Sequence, residues 1–140
     1  MATKFIMRSK DRATLKRVYK MAEDFSSSKK MIKYALEKEG YTIPSYDKIA
    51  ENKDEFYYAL VTGVACFLKG TNFRDVVSYA AKLHREPIVA LIAATLAKVF
   101  YRYSNTLISY FNEVFKENDI DLTYNDMKEF RDFILYKKED

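Results

Sequence analysis

Hydrophobic residues recur at helical spacing from near the start of the chain. Between residues 10 and 25 they are separated by three or four positions, at Leu15, Val18, Ala22 and Phe25. This spacing predicts a helix with a narrow apolar face. The following Ser26, Ser27 and Ser28 favour a break, because serine caps helices better than it continues them. A second helix is expected over residues 28–39, with Gly40 as its stop.

The middle of the chain alternates apolar helical stretches with short connections. Residues 40–52 are expected to form the longest connection, with at most a short turn of helix at 46–51. Asn52 is predicted to cap a helix over 53–69, whose inner face includes Phe56 and Tyr57 and which ends at Gly70. A helix over 73–84 follows after a short link. Its inner face is expected to hold Phe73, Val76, Val77, Ala80 and Leu83.

The last third of the chain predicts one very long helix and one short one. From residue 87 to about 117 the apolar pattern continues without Gly or Pro, so a single helix of roughly 30 residues is expected, with a kink near Ser104 and Asn105. Thr123 and Asp126 resemble a capping box before a last helix to about residue 137. The buried face of that helix is expected to contain Met127, Phe130, Phe133 and Ile134.

Together these elements predict an all-α protein with an extended N-terminal part. Residues 1–40 are expected to form a basic, kinked helical arm, residues 41–52 a connection, and residues 53–140 an antiparallel four-helix bundle. The arm has a narrow apolar face, and isolated helices of this length are marginal in water. We therefore expect it to be poorly ordered until it binds a partner.

Composition narrows the fold and the chemistry further. The chain has 140 residues, enough for one domain, but only 3 Gly and 2 Pro, too few for the turns of a β-sandwich or a nucleotide-binding α/β fold. One Cys excludes an intrachain disulfide, and with one His it leaves no structural zinc site. No cofactor is expected. The longest apolar run, residues 88–97, is too short to cross a bilayer.

Positive charge is concentrated at the N-terminus. Residues 1–20 contain seven basic residues and one acid, for a net charge of +6, whereas the rest of the chain sums to −2 and residues 113–140 sum to −4. Such a distribution favours a polyanionic partner. Arg8, Arg12, Lys16 and Lys20 are spaced four apart, which predicts a row along one helix flank.

Rows of lysine and arginine neutralise phosphates without reading bases. Residues 1–39 contain no Asn or Gln, side chains that commonly read adenine. Tyr19 lies among basic residues and is a candidate for stacking on exposed bases. The candidate nucleic-acid-binding residues are Lys4, Arg8, Lys10, Arg12, Lys16, Arg17, Tyr19, Lys20, Lys29, Lys30 and Lys33.

Candidate catalytic groups are few. His84 lies at a predicted helix end, where it is expected to act in capping, and Cys66 lies among apolar residues where a thiol is usually inert. Asp119, Asp121 and Asp126 lack the spacing of a calcium loop. The phosphate-binding glycine motifs and the zinc-protease motif are absent. The sequence therefore predicts a protein that is not an enzyme.

The basic arm MATKFIMRSKDRATLKRVYK, the SSS hinge and the tyrosine-rich helical part over 53–137 resemble the major coat proteins of filamentous archaeal viruses, the lipothrixvirus and rudivirus lineage. The resemblance implies a virion subunit, made in the host cytoplasm, that wraps double-stranded DNA in A-form with its N-terminal helices. It also implies helical assembly with itself or with a paralogous coat subunit, and peripheral contact with a lipid layer in enveloped members.

Two other functions remain open on the sequence. One is a small DNA-binding regulator, in which residues 73–84 and the helix from Pro87 would form a helix-turn-helix, although the apolar stretch 88–96 leaves it no base-reading face. The other is a viral helical interaction protein that binds peptides between its helices. The second would not need residues 1–20.

Overall fold

The structure is a computed structural model that describes residues 5–102 and 108–136. These residues form helices and no strand, which confirms the all-α class. The helices are α1 (Ser9–Glu23), α2 (Lys29–Lys38), α3 (Tyr46–Glu51), α4 (Ala59–Lys69), α5 (Phe73–Leu83), α6 (Pro87–Phe100), α7 (Ile108–Glu117) and α8 (Tyr124–Tyr136).

Most helix boundaries follow from capping chemistry. The side chains of Ser28, Ser45 and Asn72 each accept a hydrogen bond from the backbone N–H three residues later. Thr123 and Asp126 form the expected reciprocal pair at the start of α8. Gly40 ends α2 with a φ of 97°, a left-handed conformation that glycine adopts without steric cost. These caps confirm the predicted serine break and the short helix at Tyr46–Glu51.

Helix α6 is the centre of the fold. It packs against α4, α5, α1 and α8, and every residue from Val89 to Ala97 is buried. Helices α4 and α6 approach each other closely at Gly63, where a Cβ atom would lie 2.7 Å from Cγ2 of Ile92. The predicted inner faces of α5 and α8 are buried as expected.

Helix α1 is part of this core, and the structure therefore differs from the predicted detached arm. Leu15, Val18 and Ala22 are each only 1% exposed, and α1 contacts α6 and α8. Polar residues widen the buried face beyond the apolar stripe, because Asp11, Arg12 and Thr14 are buried as well. The predicted four-helix arrangement of residues 53–140 is not confirmed, since α1 completes the packing around α6.

The predicted helix over residues 53–69 is wrong in its first part. Asn52 instead lies at the C-terminal end of α3, where its backbone leaves the helical conformation and its side-chain amide donates to the carbonyl of Lys48. The chain then turns, and α4 begins only at Ala59. As a result Phe56, which was expected on the inner face, is 78% exposed. Phe25, the last residue of the predicted α1 stripe, lies beyond that helix and is 88% exposed.

The single long helix predicted from residue 87 is also wrong. Helix α6 ends at Phe100, and Arg102 adopts a left-handed φ of 50° that ends the helical path. The Arg102 guanidinium donates to the backbone carbonyl of Glu23 and lies 3.5 Å from the Phe25 ring centroid. These contacts stabilise a turn for which the sequence has no Gly or Pro signal. The predicted kink at Ser104 and Asn105 lies outside the described residues.

Candidate nucleic-acid interface

Arg12, the second residue of the basic row predicted on α1, is not on the surface. The Arg12 side chain is buried, where it donates to the backbone carbonyl of Phe133 at 3.5 Å and lies 5.5 Å from that residue's ring centroid. Tyr19 is buried too, so it has no exposed face on which a base could stack. Both residues attach α1 to the rest of the fold instead of presenting it to a nucleic acid.

Arg8 lies in a polar network at the start of α1. Its guanidinium donates to the Asp11 carboxylate at 2.8 and 3.2 Å, and the Tyr41 hydroxyl donates to the same carboxylate at 2.6 Å. Burial alone would raise the pKa of Asp11, but the hydrogen bonds from Arg8 and Tyr41 hold that pKa below its ordinary value. The carboxylate thus stays ionised and offsets the charge of Arg8.

Arg17 is also paired. Its guanidinium donates to the carboxylate of Glu39 at the end of α2 and, at 3.2 Å, to the hydroxyl of Thr14. This pair links α1 to α2 at the protein surface. Arg17 stays more than half exposed, so it adds to the local positive potential, but an acid lies directly beside it.

Lys29 connects α2 to neighbouring helices. Its ammonium donates to the carbonyls of Phe67, at 2.8 Å, and Gly70, at the C-terminal end of α4. It also lies 5.0 Å from the ring centroids of Phe67 and Tyr101 and 5.9 Å from that of Phe100. Burial lowers the pKa of the Lys29 ammonium to about 8. We conclude that Lys29 fastens α2 to α4 and is poorly placed to contact a phosphate.

The remaining candidates are on the surface. Five of the candidate lysines on α1 and α2 are exposed: Lys10, Lys16, Lys20, Lys30 and Lys33. Lys10 lies 5.7 Å from the Tyr41 ring centroid. The last candidate, Lys4, lies outside the described residues. The structure thus reduces the predicted row to a set of exposed lysines spread along two consecutive helices.

One basic cluster on this surface includes a lysine that is not among the predicted candidates. Lys30 and Lys33 of α2 and Lys69 of α4 line a cavity of about 370 Å³, together with the apolar residues Ile43 and Leu68. The carboxylate of Asp47 also lines it and lies 3.4 Å from the Lys69 ammonium. Only the packing of α2 against the end of α4 brings Lys69 to this place, so sequence spacing alone could not identify it.

The candidate catalytic groups Cys66, His84 and Asp126 belong to three different parts of the fold: α4, the end of α5 and α8. Cys66 is fully buried, and burial raises the pKa of its thiol to about 12. His84 is exposed at the C-terminal end of α5, with a left-handed φ of 50° and its backbone N–H bonded to the Ala81 carbonyl. Asp126 caps α8. Within residues 5–102 and 108–136 no group of three His, Cys, Asp or Glu residues could hold a metal ion.

Comparison with known proteins gives no relative. No protein-family model, curated protein or solved structure matches the chain. Among the described helices, none combines the length and the apolar character needed to cross a membrane. The distribution of charge over the surface is therefore the main indication of function.

Proposed function

We propose that this protein is a structural nucleic-acid-packaging subunit that binds the backbone of double-stranded DNA without regard to sequence. The observation that supports this most directly is that five candidate lysines on α1 and α2 are exposed. Flexible ammonium groups act as point charges toward phosphates and release counterions on binding. In this proposal the two helices contact DNA from the side of the helical body, and no extended arm is needed.

The arrangement favours packaging over regulation. A helix-turn-helix regulator would place α6 in the major groove. Residues Val89 to Ala97 of α6 are all buried, so that helix has no face to present to base edges. Exposed lysines distributed over two helices suit a protein that follows a phosphate backbone.

Assembly is supported by large apolar side chains on the surface. Phe25 is exposed just beyond α1, Met31 and Tyr34 are exposed on α2, and Phe56 and Tyr58 are exposed before α4 with their ring centroids 5.6 Å apart. Exposed apolar side chains that lie close together are typical of protein–protein contact sites. We propose that copies of this chain, or this chain and a related subunit, bury these residues in a helical filament.

The proposal extends to the setting that the resemblance implies. In it the protein is the major coat subunit of a filamentous archaeal virion, DNA is held in A-form, and any contact with a lipid envelope is peripheral. It assigns no catalytic role and no cofactor to the chain.

DNA binding by charge can be tested with a quadruple variant. The variant replaces Lys16, Lys20, Lys30 and Lys33 with Gln, and binding to random-sequence duplex DNA is measured by fluorescence anisotropy. Removing four phosphate contacts is expected to weaken binding by at least about 100-fold at low salt, since each contact contributes to counterion release. Electron microscopy of the same mixtures should show filaments with the wild-type protein.

A control with the same change in net charge separates position from total charge. It replaces four exposed lysines outside α1 and α2: Lys48, Lys53, Lys82 and Lys116. The control should bind within about threefold of wild type. If both variants lose affinity equally, the lysines of α1 and α2 are not the interface and the proposal is wrong.

A further inference from the structure

A small cavity lies where α1, α6 and α8 meet, and basic side chains from two helices line it. It has a volume of about 70 Å³ and is lined by Lys98 of α6 and by Lys128 and Arg131 of α8. None of these three residues belongs to the basic N-terminal region. A single buried water needs only about 10–15 Å³ of such space, so this cavity has room for a small polyatomic ion.

One residue in the wall of the cavity has a buried hydroxyl group. Thr95 of α6 is 3% exposed, and its Oγ1 atom forms no hydrogen bond with any residue in 5–102 or 108–136. A buried threonine in a helix commonly satisfies its hydroxyl with the carbonyl of the preceding turn. An unsatisfied buried hydroxyl costs about 1–3 kcal/mol, so such groups usually have a partner such as a bound ion or water.

Tyr19 of α1 completes the lining with a second hydroxyl. Burial raises the pKa of the Tyr19 phenol, and the nearby Glu23 and Asp132 add to this effect while Arg131 opposes it. The phenol therefore stays protonated at neutral pH and keeps a proton to donate. This gives a reason for the position of Tyr19 that base stacking does not, because its ring is buried.

The charges around the cavity favour an anion. The ammonium groups of Lys98 and Lys128 both lie 5.9 Å from the ring centroid of Tyr124, so two like charges share one aromatic neighbour. Arg131 contributes a third positive charge, and one of its N–H groups donates to Asp132 at 3.3 Å. Glu23 is the other acid near Tyr19. Three cationic residues that line one cavity together with two hydroxyl-bearing residues make a negatively charged ligand more favourable there than a neutral or positive one.

We infer that this cavity binds a phosphate group, held by Lys98, Lys128 and Arg131 and by hydrogen bonds from Thr95 and Tyr19. Arginine and lysine with hydroxyl donors provide the geometry and charge that tetrahedral oxyanions need. The group could belong to free inorganic phosphate or to a nucleic-acid backbone. The site itself does not depend on the DNA-binding role of α1 and α2, because its cations lie on α6 and α8.

Inorganic phosphate is the first probe. Its binding to the whole protein is measured by isothermal titration calorimetry at constant ionic strength, with chloride as the reference anion. Wild-type protein should bind phosphate, Arg131→Gln should bind at least about tenfold more weakly, and Thr95→Val at least about threefold more weakly. Lys116→Gln, an exposed change on α7, should bind as wild type does. No phosphate binding to wild-type protein, or equal binding by all four proteins, would overturn the inference.

The Thr95→Val variant also tests whether a loss of phosphate binding results from a loss of folding. Because the hydroxyl has no partner among the residues that the structure describes, replacing it with a methyl group should leave the unfolding midpoint in phosphate-free buffer unchanged or raise it. Phosphate should raise the midpoint of wild type more than that of the variant, because the variant binds it more weakly. If phosphate stabilises both proteins equally, it binds elsewhere and the inference is wrong.

A duplex DNA titration then identifies the source of the phosphate group. Displacement of bound phosphate by DNA assigns the site to a nucleic-acid backbone, and simultaneous binding of both assigns it to the free ion. Either result is compatible with a phosphate-binding site in the cavity. They are independent of the quadruple lysine variant, which tests α1 and α2 alone.

Discussion

The packing of α1 into the core can be tested by removing one buried side chain, with the replacement Leu15→Ala. Leu15 is 1% exposed in a helix that contacts α6 and α8, so the change removes three carbon groups from a closed environment. At about 0.8 kcal/mol for each buried CH₂ group, the lost transfer free energy alone is about 2.4 kcal/mol. The cavity left behind increases the total to about 3–4 kcal/mol, within the range for such changes.

Urea denaturation followed by circular dichroism measures this loss. A 3–4 kcal/mol change is a large part of the ~5–15 kcal/mol that stabilises a typical domain, so the midpoint should fall clearly. Lys16→Ala, one residue away on the exposed face, is the matched control and should change stability by less than about 0.5 kcal/mol. A detached arm would behave differently: Leu15→Ala would leave the main unfolding transition unchanged, and that result would refute the packing described here.

Three further predictions concern single residues. Gly63→Ala should lower stability, because overpacking against Ile92 costs about 1–3 kcal/mol and outweighs a gain in helix propensity of about 1 kcal/mol; unchanged or higher stability in urea would contradict this. Burial lowers the pKa of Lys29 from 10.5 to about 8, so from pH 8 to 10.5 the unfolded chain binds a proton that the folded protein lacks, and stability should rise with pH across that range. The free energy of unfolding of the wild type, measured relative to that of Lys29→Met, should therefore increase from pH 7.5 to 9.5. A constant difference between the two proteins would count against the assignment. The buried Cys66 thiol, with its pKa raised to about 12, should react with a soluble disulfide reagent at neutral pH only as fast as the protein unfolds, and rapid labelling of the native protein would show otherwise.

Local signals in the sequence were sufficient to predict where most helices begin or end. Gly40, Gly70, Pro87 and the cap at Thr123 mark boundaries by rules that involve only a few neighbouring residues, and the structure has helix ends at each of them. The end of α6 has no such local signal. It depends on contacts of Arg102 with Glu23 and Phe25, which are distant in the chain.

The candidate interface was harder to predict than the helices. Charge and spacing identified the basic region, but they could not show that Arg12 would turn toward Phe133 or that Lys29 would fasten α2 to the end of α4. Both outcomes depend on tertiary packing. In the folded protein these cations contact aromatic rings and backbone carbonyls, so they are not available to bind phosphates. Thr95 and Arg131 meet only because α6 and α8 pack together, so no sequence pattern indicated the cavity between them.

The salt dependence of DNA binding tests the central claim most directly. If the five exposed candidate lysines of α1 and α2, Lys10, Lys16, Lys20, Lys30 and Lys33, each neutralise one phosphate, the logarithm of the association constant should fall with the logarithm of salt concentration with a slope of about −4.5, at about −0.9 for each contact. With Lys16, Lys20, Lys30 and Lys33 replaced by Gln, the slope should fall to about −1. A slope near zero for the wild-type protein, or the same slope for both proteins, would contradict DNA binding through these helices.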